Sequence, residues 1–137
     1  MPGLTSPPSG RLLHVDAMYK ILDNVSRILY ISGMQTLVFI GTSRDDIRDF
    51  LADVRREMGR QLLRIQFGVD PENWKPMKTV GKGVREVRLN VSGQFRAFYV
   101  TNIGNAVYVL HAFQKKGQKT SSKDIALGCQ RFRQIGE

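Results

Sequence analysis

Arg88, Arg96, His111, Lys115 and Lys116 are the side chains whose types and spacing suit chemistry on a phosphate. In an extended strand, residues two apart share a face. Glu86 and Arg88 therefore share one face of a β-like run, while Val87, Leu89 and Val91 share the other. Arg96 falls on the face of Phe98 and Val100, a position suited either to a sheet rim with a snorkelling side chain or to a polar cleft. His111 alternates with Val107, Val109 and Phe113, a face on which a lone histidine is more often a satisfied core or rim residue than a catalyst. Just beyond it, the run Gln114 to Thr120 places Lys115, Lys116 and Lys119 at the end of the same strand. Cations converging in this way can grip a phosphate and stabilise the charge that builds up when it is attacked. The plainer reading of Glu86 and Arg88 is a cross-strand ion pair, worth under about 1 kcal/mol if exposed.

The charge distribution points to the same segment. The 137 residues carry a net charge of +9, and residues 75–137 hold twelve basic and three acidic side chains. Residues 34–74 carry six basic and seven acidic, and residues 1–33 three and two. So uneven a field attracts polyanions, nucleic acid first among them. Other chemistries find little support. One cysteine, Cys129, excludes a disulfide framework and a zinc–thiolate cluster. His14 and His111 lie in separate segments, and Glu86, Asp124 and Glu137 are the sole acids after position 75. No metal site and no cofactor is expected. The uncharged stretch Ile28 to Ser43 is 16 residues and includes Gly33, Gln35 and Gly41. That is short and polar for a membrane span, and a cytoplasmic, reduced protein is expected.

The elements that must position these groups follow from periodicity. Val15, Met18, Ile21, Leu22, Val25, Ile28 and Leu29 recur at helical spacing, after a proline-rich tip over residues 1–10 that is expected to be disordered. Thr36–Ile40 reads as a strand ended by Gly41. Ser43, with Asp45 and Asp46, reads as a helix N-cap. The apolar positions Ile47 to Ile65 continue as helix, with Gly59 dividing it into a hairpin or weakening one long helix. Gly68 to Gly83 reads as a loop. Val84–Val91, Gln94–Thr101 and Ala106–Phe113, joined by short linkers, form an antiparallel meander. Ser121 or Ser122 caps a last helix through Ile135. The expected fold class is α+β: a small antiparallel-meander sheet with an N-terminal helical hairpin and a C-terminal helix packed on one face, plus an extra N-terminal helix.

The stretches Trp74–Lys78, Gly83–Arg88 and Phe95–Val100 resemble the RelE/ParE toxin superfamily. The continuation Ala106–Lys116, with Gln118-Lys119-Thr120 and Asp124-Ile125, resembles the phage-associated, HigB-like host-inhibition branch of type II toxin–antitoxin systems. The resemblance spans about residues 34 to 135 and implies a RelE-like toxin domain over 34–137, with 1–33 as an extension. It also implies a metal-free endoribonuclease that cleaves mRNA in the ribosomal decoding site, the 2′-hydroxyl attacking the adjacent phosphate. By strand position, Arg88 and Arg96 match the phosphate-contacting residues, and Lys115 or Lys116 matches a basic residue after the last strand. His111, or a lysine driven towards neutrality by neighbouring cations, becomes the acid–base candidate. Lys75, Lys78, Arg85, Tyr99 and Lys119 become candidate RNA contacts. Several relatives end in a tyrosine, whereas the last helix here offers Phe132.

The implied partners are mRNA on the ribosome and a helix-turn-helix antitoxin, with a second copy of this chain as a candidate partner of the extension. Two other functions compete: a ParE-like protein binder that inhibits DNA gyrase, and an inactive nucleic-acid-binding prophage protein.

Overall fold

The structure, a computed structural model, describes residues 33–136. The helix expected over Val15–Leu29 and the tip expected to be disordered lie outside these residues. The chain runs β1 (Thr36–Phe39), α1 (Ser43–Arg48), α2 (Ala52–Gln66), β2 (Trp74–Pro76), β3 (Arg85–Asn90), β4 (Gln94–Ile103), β5 (Ala106–Gln114) and α3 (Ser122–Ile135). The five strands form one sheet in the order β1-β5-β4-β3-β2. β1 runs parallel to β5, and the other neighbours are antiparallel.

The meander forms because its linkers supply the required backbone. Ser92 and Gly93, both at positive φ (54° and 127°), turn β3 into β4. Alternation then sorts the side chains. Val87, Leu89, Phe95, Ala97 and Tyr99 join a core under α1 and α2, with Val54, Met58, Leu62 and Ile65 from α2. On the other face Val84, Phe98, Val100, Leu110 and Phe113 form a second core, covered by Ile125, Phe132 and Ile135 of α3. Helices thus cover both faces, not one, because the second face also carries apolar residues, Phe98, Val100, Leu110 and Phe113, that need cover.

Three local expectations are corrected. The helical hairpin breaks at Asp49–Leu51, not at Gly59, which lies inside α2 with open space around it. Ser43 is not the cap. Thr42 occupies that position, and the buried Ser43 hydroxyl donates instead to the Val109 carbonyl at 3.0 Å, fastening α1 to β5. The Gly68–Gly83 loop contains the edge strand β2, whose Lys75 pairs with Glu86. The expected cap at Ser121 is present: its hydroxyl accepts from Asp124 N at 3.1 Å.

α3 approaches the sheet at Gly128. A Cβ there would stand 2.8 Å from Phe98 Cδ2 and 2.9 Å from Val80 Cγ1, inside van der Waals contact on both sides. Gly128→Ala is therefore expected to destabilise the fold by about 1–3 kcal/mol. Thermal denaturation checks this; an unchanged midpoint would show that α3 can step back without loss.

A basic groove beside a buried carboxylate

A β-bulge decides which residues share the site face. Phe98 pairs with His111, but Tyr99 pairs with Val109, so Leu110 is an extra residue on β5. The expected alternation of His111 with Val107 and Val109 is broken there. Val107 and Val109 belong to the α1/α2 core, whereas His111 lies opposite Phe98 on the α3 side. The register then places Lys75, Glu86, Phe98 and His111 in one cross-strand row, and Arg88, Arg96 and Phe113 in the next.

Glu86 sits at the centre of this arrangement and is 1% exposed. Its Oε1 lies 3.8 Å from Arg96 Nε, and its Oε2 has no hydrogen-bond partner. Burial pushes the Glu86 carboxyl above its usual range, opposed by Lys75, Arg96, Arg88 and Lys115. Sequence reasoning passed over Glu86 as half of an exposed ion pair. The signal for more was its place as the sole acid between residue 75 and the end of the meander.

Arg96 does not line an open cleft. It is 2% exposed, and its guanidinium donates to the Phe95 carbonyl at 3.0 Å, Gln94 Oε1 at 3.1 Å and the Leu89 carbonyl at 3.4 Å. Burial lowers its pKa, with Glu86 acting in the opposite direction. Arg88 is half-buried directly across from Arg96, with its Nε unpartnered. Two arginines face to face would repel. The carboxylate beside them is the charge that makes this pairing tolerable.

Next to Glu86, Arg88 and Arg96 opens a groove of about 580 Å³. Lys75, Lys78, Lys115, Lys119, Gln118 and Thr120 stand around it, with Met77 and Ile125 among its apolar lining residues. Three of these lysines are exposed and Lys115 is half-buried. Chain segments 40 residues apart thus deliver four ammonium groups to one concave surface, and none of its lining residues is acidic. Such a surface attracts an anionic backbone through charge.

Other expected site residues lie elsewhere. Lys116 is exposed and outside the groove lining. Arg85 and Tyr99 pair with each other on the opposite, α2-covered face. There they line a separate cavity of about 190 Å³ with Asp70, Thr101 and Asn102. Arg85 stacks over the Trp74 ring at 4.1 Å and donates to Asp70 at 2.8 Å. The Tyr99 hydroxyl is buried without a partner, and burial pushes its pKa up.

His111 is a latch between β5 and α3. Its Nε2 lies 2.7 Å from Asp124 Oδ1, and its Nδ1 lies 3.4 Å from Arg131 Nη1. Arginine can only donate, so Nδ1 accepts and Nε2–H donates to Asp124. Arg131 also donates to the Leu110 carbonyl at 3.0 Å and to Thr42 Oγ1 at 3.1 Å. The ring stacks on Phe113 at 4.9 Å. Asp124 and Arg131 are partners of His111 that the sequence reading did not assign. Ser121 with Asp124 three residues on is a capping signal, and it gives no hint of a histidine partner.

Among the described residues, no group of three or more histidine, cysteine or acidic side chains is placed to hold a metal ion. None of their helices is long and apolar enough to cross a membrane. Compared with known proteins, residues 45–133 match the family described as Phage derived protein Gp49-like (DUF891), more than half of the chain. No curated protein matches it.

Proposed function

The chain belongs to the phage-derived Gp49-like family, within the RelE/ParE-like toxin superfamily, and from that premise we propose that it cuts messenger RNA on the ribosome. The single observation that carries this reading is the groove of Lys75, Lys78, Lys115 and Lys119 beside the buried Glu86 and Arg96 and the half-buried Arg88. In this reading the protein is the toxin of a type II pair of the HigB-like branch, held in check by a helix-turn-helix antitoxin.

The four lysines hold consecutive phosphates of the message, and Arg88 adds positive potential from the adjoining row. The 2′-hydroxyl gives its proton to solvent as its oxygen attacks the neighbouring phosphorus, the bond from phosphorus to the 5′-oxygen breaks, that oxygen takes up a proton, and a 2′,3′-cyclic phosphate and a 5′-hydroxyl result. The negative charge of the phosphorane grows within reach of the ammonium groups, which stabilise it most in the transition state. We assign the Lys115 ammonium to the leaving 5′-oxygen, since Lys115 both lines the groove and acts electrostatically on Glu86. Arg96 and His111 contribute by position: the first beside Glu86 and Arg88, the second by holding α3 against β5.

Four neutralised phosphates give an expected log–log slope of roughly −3 for the salt dependence of single-stranded RNA binding, at about −0.7 per contact. Titration by fluorescence anisotropy at several salt concentrations measures it. A slope near zero would remove the groove as an RNA site.

A second reading has one observation in its favour. His111 is buried and bonded at both ring nitrogens, which suits a ParE-like toxin that binds gyrase without acid–base chemistry. Purified protein added to ribosomes programmed with a defined message separates the two. Cleavage of the message supports the first reading, whereas intact message with inhibited DNA supercoiling supports the second.

A further inference from the structure

Among the described residues, Glu86 is the one acidic side chain that the strands of the sheet carry, and it is set among cations. Every element around it contributes a cation: Lys75 from β2, Arg88 from β3, Arg96 from β4 and Lys115 from the segment after β5. His111 ends the same cross-strand row on β5, but its ring is turned to Asp124 of α3, and Arg131 of α3 is occupied with that histidine and the Leu110 carbonyl. The Glu86 carboxyl has no hydrogen-bond donor at Oε2 and only a distant one, at 3.8 Å, at Oε1. An ionised carboxylate so placed is held by charge alone. We propose that Glu86 is the internal counter-ion of the lysine groove, and that a bound phosphodiester takes its place and makes Glu86 take up a proton.

The balance of charges gives the direction. Without nucleic acid, Lys75 and Lys115 face both the groove and Glu86, and their charge favours the carboxylate. A phosphodiester in the groove satisfies those two lysines and brings its own negative charge towards a carboxylate buried in low dielectric. Both effects favour the protonated acid. One proton moves from solvent to a Glu86 oxygen and no covalent bond to the nucleic acid changes. Glu86 is a positioning residue in this scheme: its side chain is covered and does not touch the ligand. The consequence is regulation by pH of the same site, with binding strengthened as pH falls.

This inference rests on the reading of the groove as a nucleic-acid site, and its test is built to fail separately. The probe is a short single-stranded 2′-deoxyoligonucleotide, which lacks the attacking hydroxyl and is not cut. Calorimetry of the full chain in two buffers of different ionisation enthalpy counts protons. Net uptake of up to one proton per oligonucleotide is expected, with affinity falling by up to about tenfold per pH unit over the range where Glu86 titrates. In Glu86→Gln both the uptake and the pH dependence should disappear. Binding without uptake, or uptake unchanged in the variant, overturns the inference and leaves the groove standing. No binding by the wild-type protein overturns both. Should Glu86→Gln fail to fold, the carboxyl carbon-13 resonance of Glu86 in the wild type decides. Its titration must move to higher pH when oligonucleotide is added, and an unmoved titration contradicts the proposal.

Discussion

Lys115→Ala is expected to leave the fold intact and to lower the rate of message cleavage by about 10²–10³-fold, the loss typical of removing one preorganised stabiliser of a developing charge. The side chain is half-buried at the groove rim, and the strand register here depends on its backbone N–H, which donates to the Gln94 carbonyl at 2.7 Å. Alanine keeps that bond. Lys116→Ala, one residue on and outside the groove lining, should change cleavage little. Single-turnover cleavage of ribosome-bound message by the two variants, with thermal midpoints measured alongside, provides the comparison. Equal activity in both would mean that the groove is not where the message is cut.

Arg96→Ala is expected to fail differently. Its removal leaves Glu86 buried with its nearest cation gone and empties a site that is 2% exposed. Breaking a buried pair on one side costs about 3–5 kcal/mol, a large share of the stability of a domain this size. Loss of toxicity in this variant would therefore report unfolding and not catalysis. Urea denaturation of the purified variant measures the difference. A midpoint equal to that of the wild type would mean that Arg96 is free of Glu86 and open to substrate, contrary to the arrangement described here.

The strands of the meander were legible in the sequence because their signals are local. Ser92-Gly93 specifies a tight turn, and alternation around Val87 and Leu89 correctly separates an apolar face from Glu86 and Arg88. His111 was misplaced because alternation counts residues, and the extra residue Leu110 reverses the count. β2 escaped notice because three residues that include Pro76 show no strand period; pairing with β3 creates the strand. Four of the groove's lysines were named from sequence, yet their convergence depends on β2 reaching the edge of the sheet beside the chain that leaves β5. The choice between rim and cleft for Arg96 is not legible in sequence, because the carbonyls that its guanidinium meets, those of Leu89 and Phe95, are strand backbone whose free acceptors periodicity does not reveal. Arg85 and Tyr99 are basic and aromatic, as RNA contacts are, but strand parity turns them to the α2 side.

The central claim is that this chain's lysine groove acts on translated messenger RNA, and mapping RNA 5′ ends in cells expressing the protein tests it most directly. Expression of the wild-type chain should produce new 5′-hydroxyl ends inside coding regions, in messages being translated and not in the same messages with their start codons removed. Lys115→Ala at equal abundance should not produce them. Messages that stay intact while growth stops and DNA supercoiling is lost would contradict the claim and assign the toxin to a protein target.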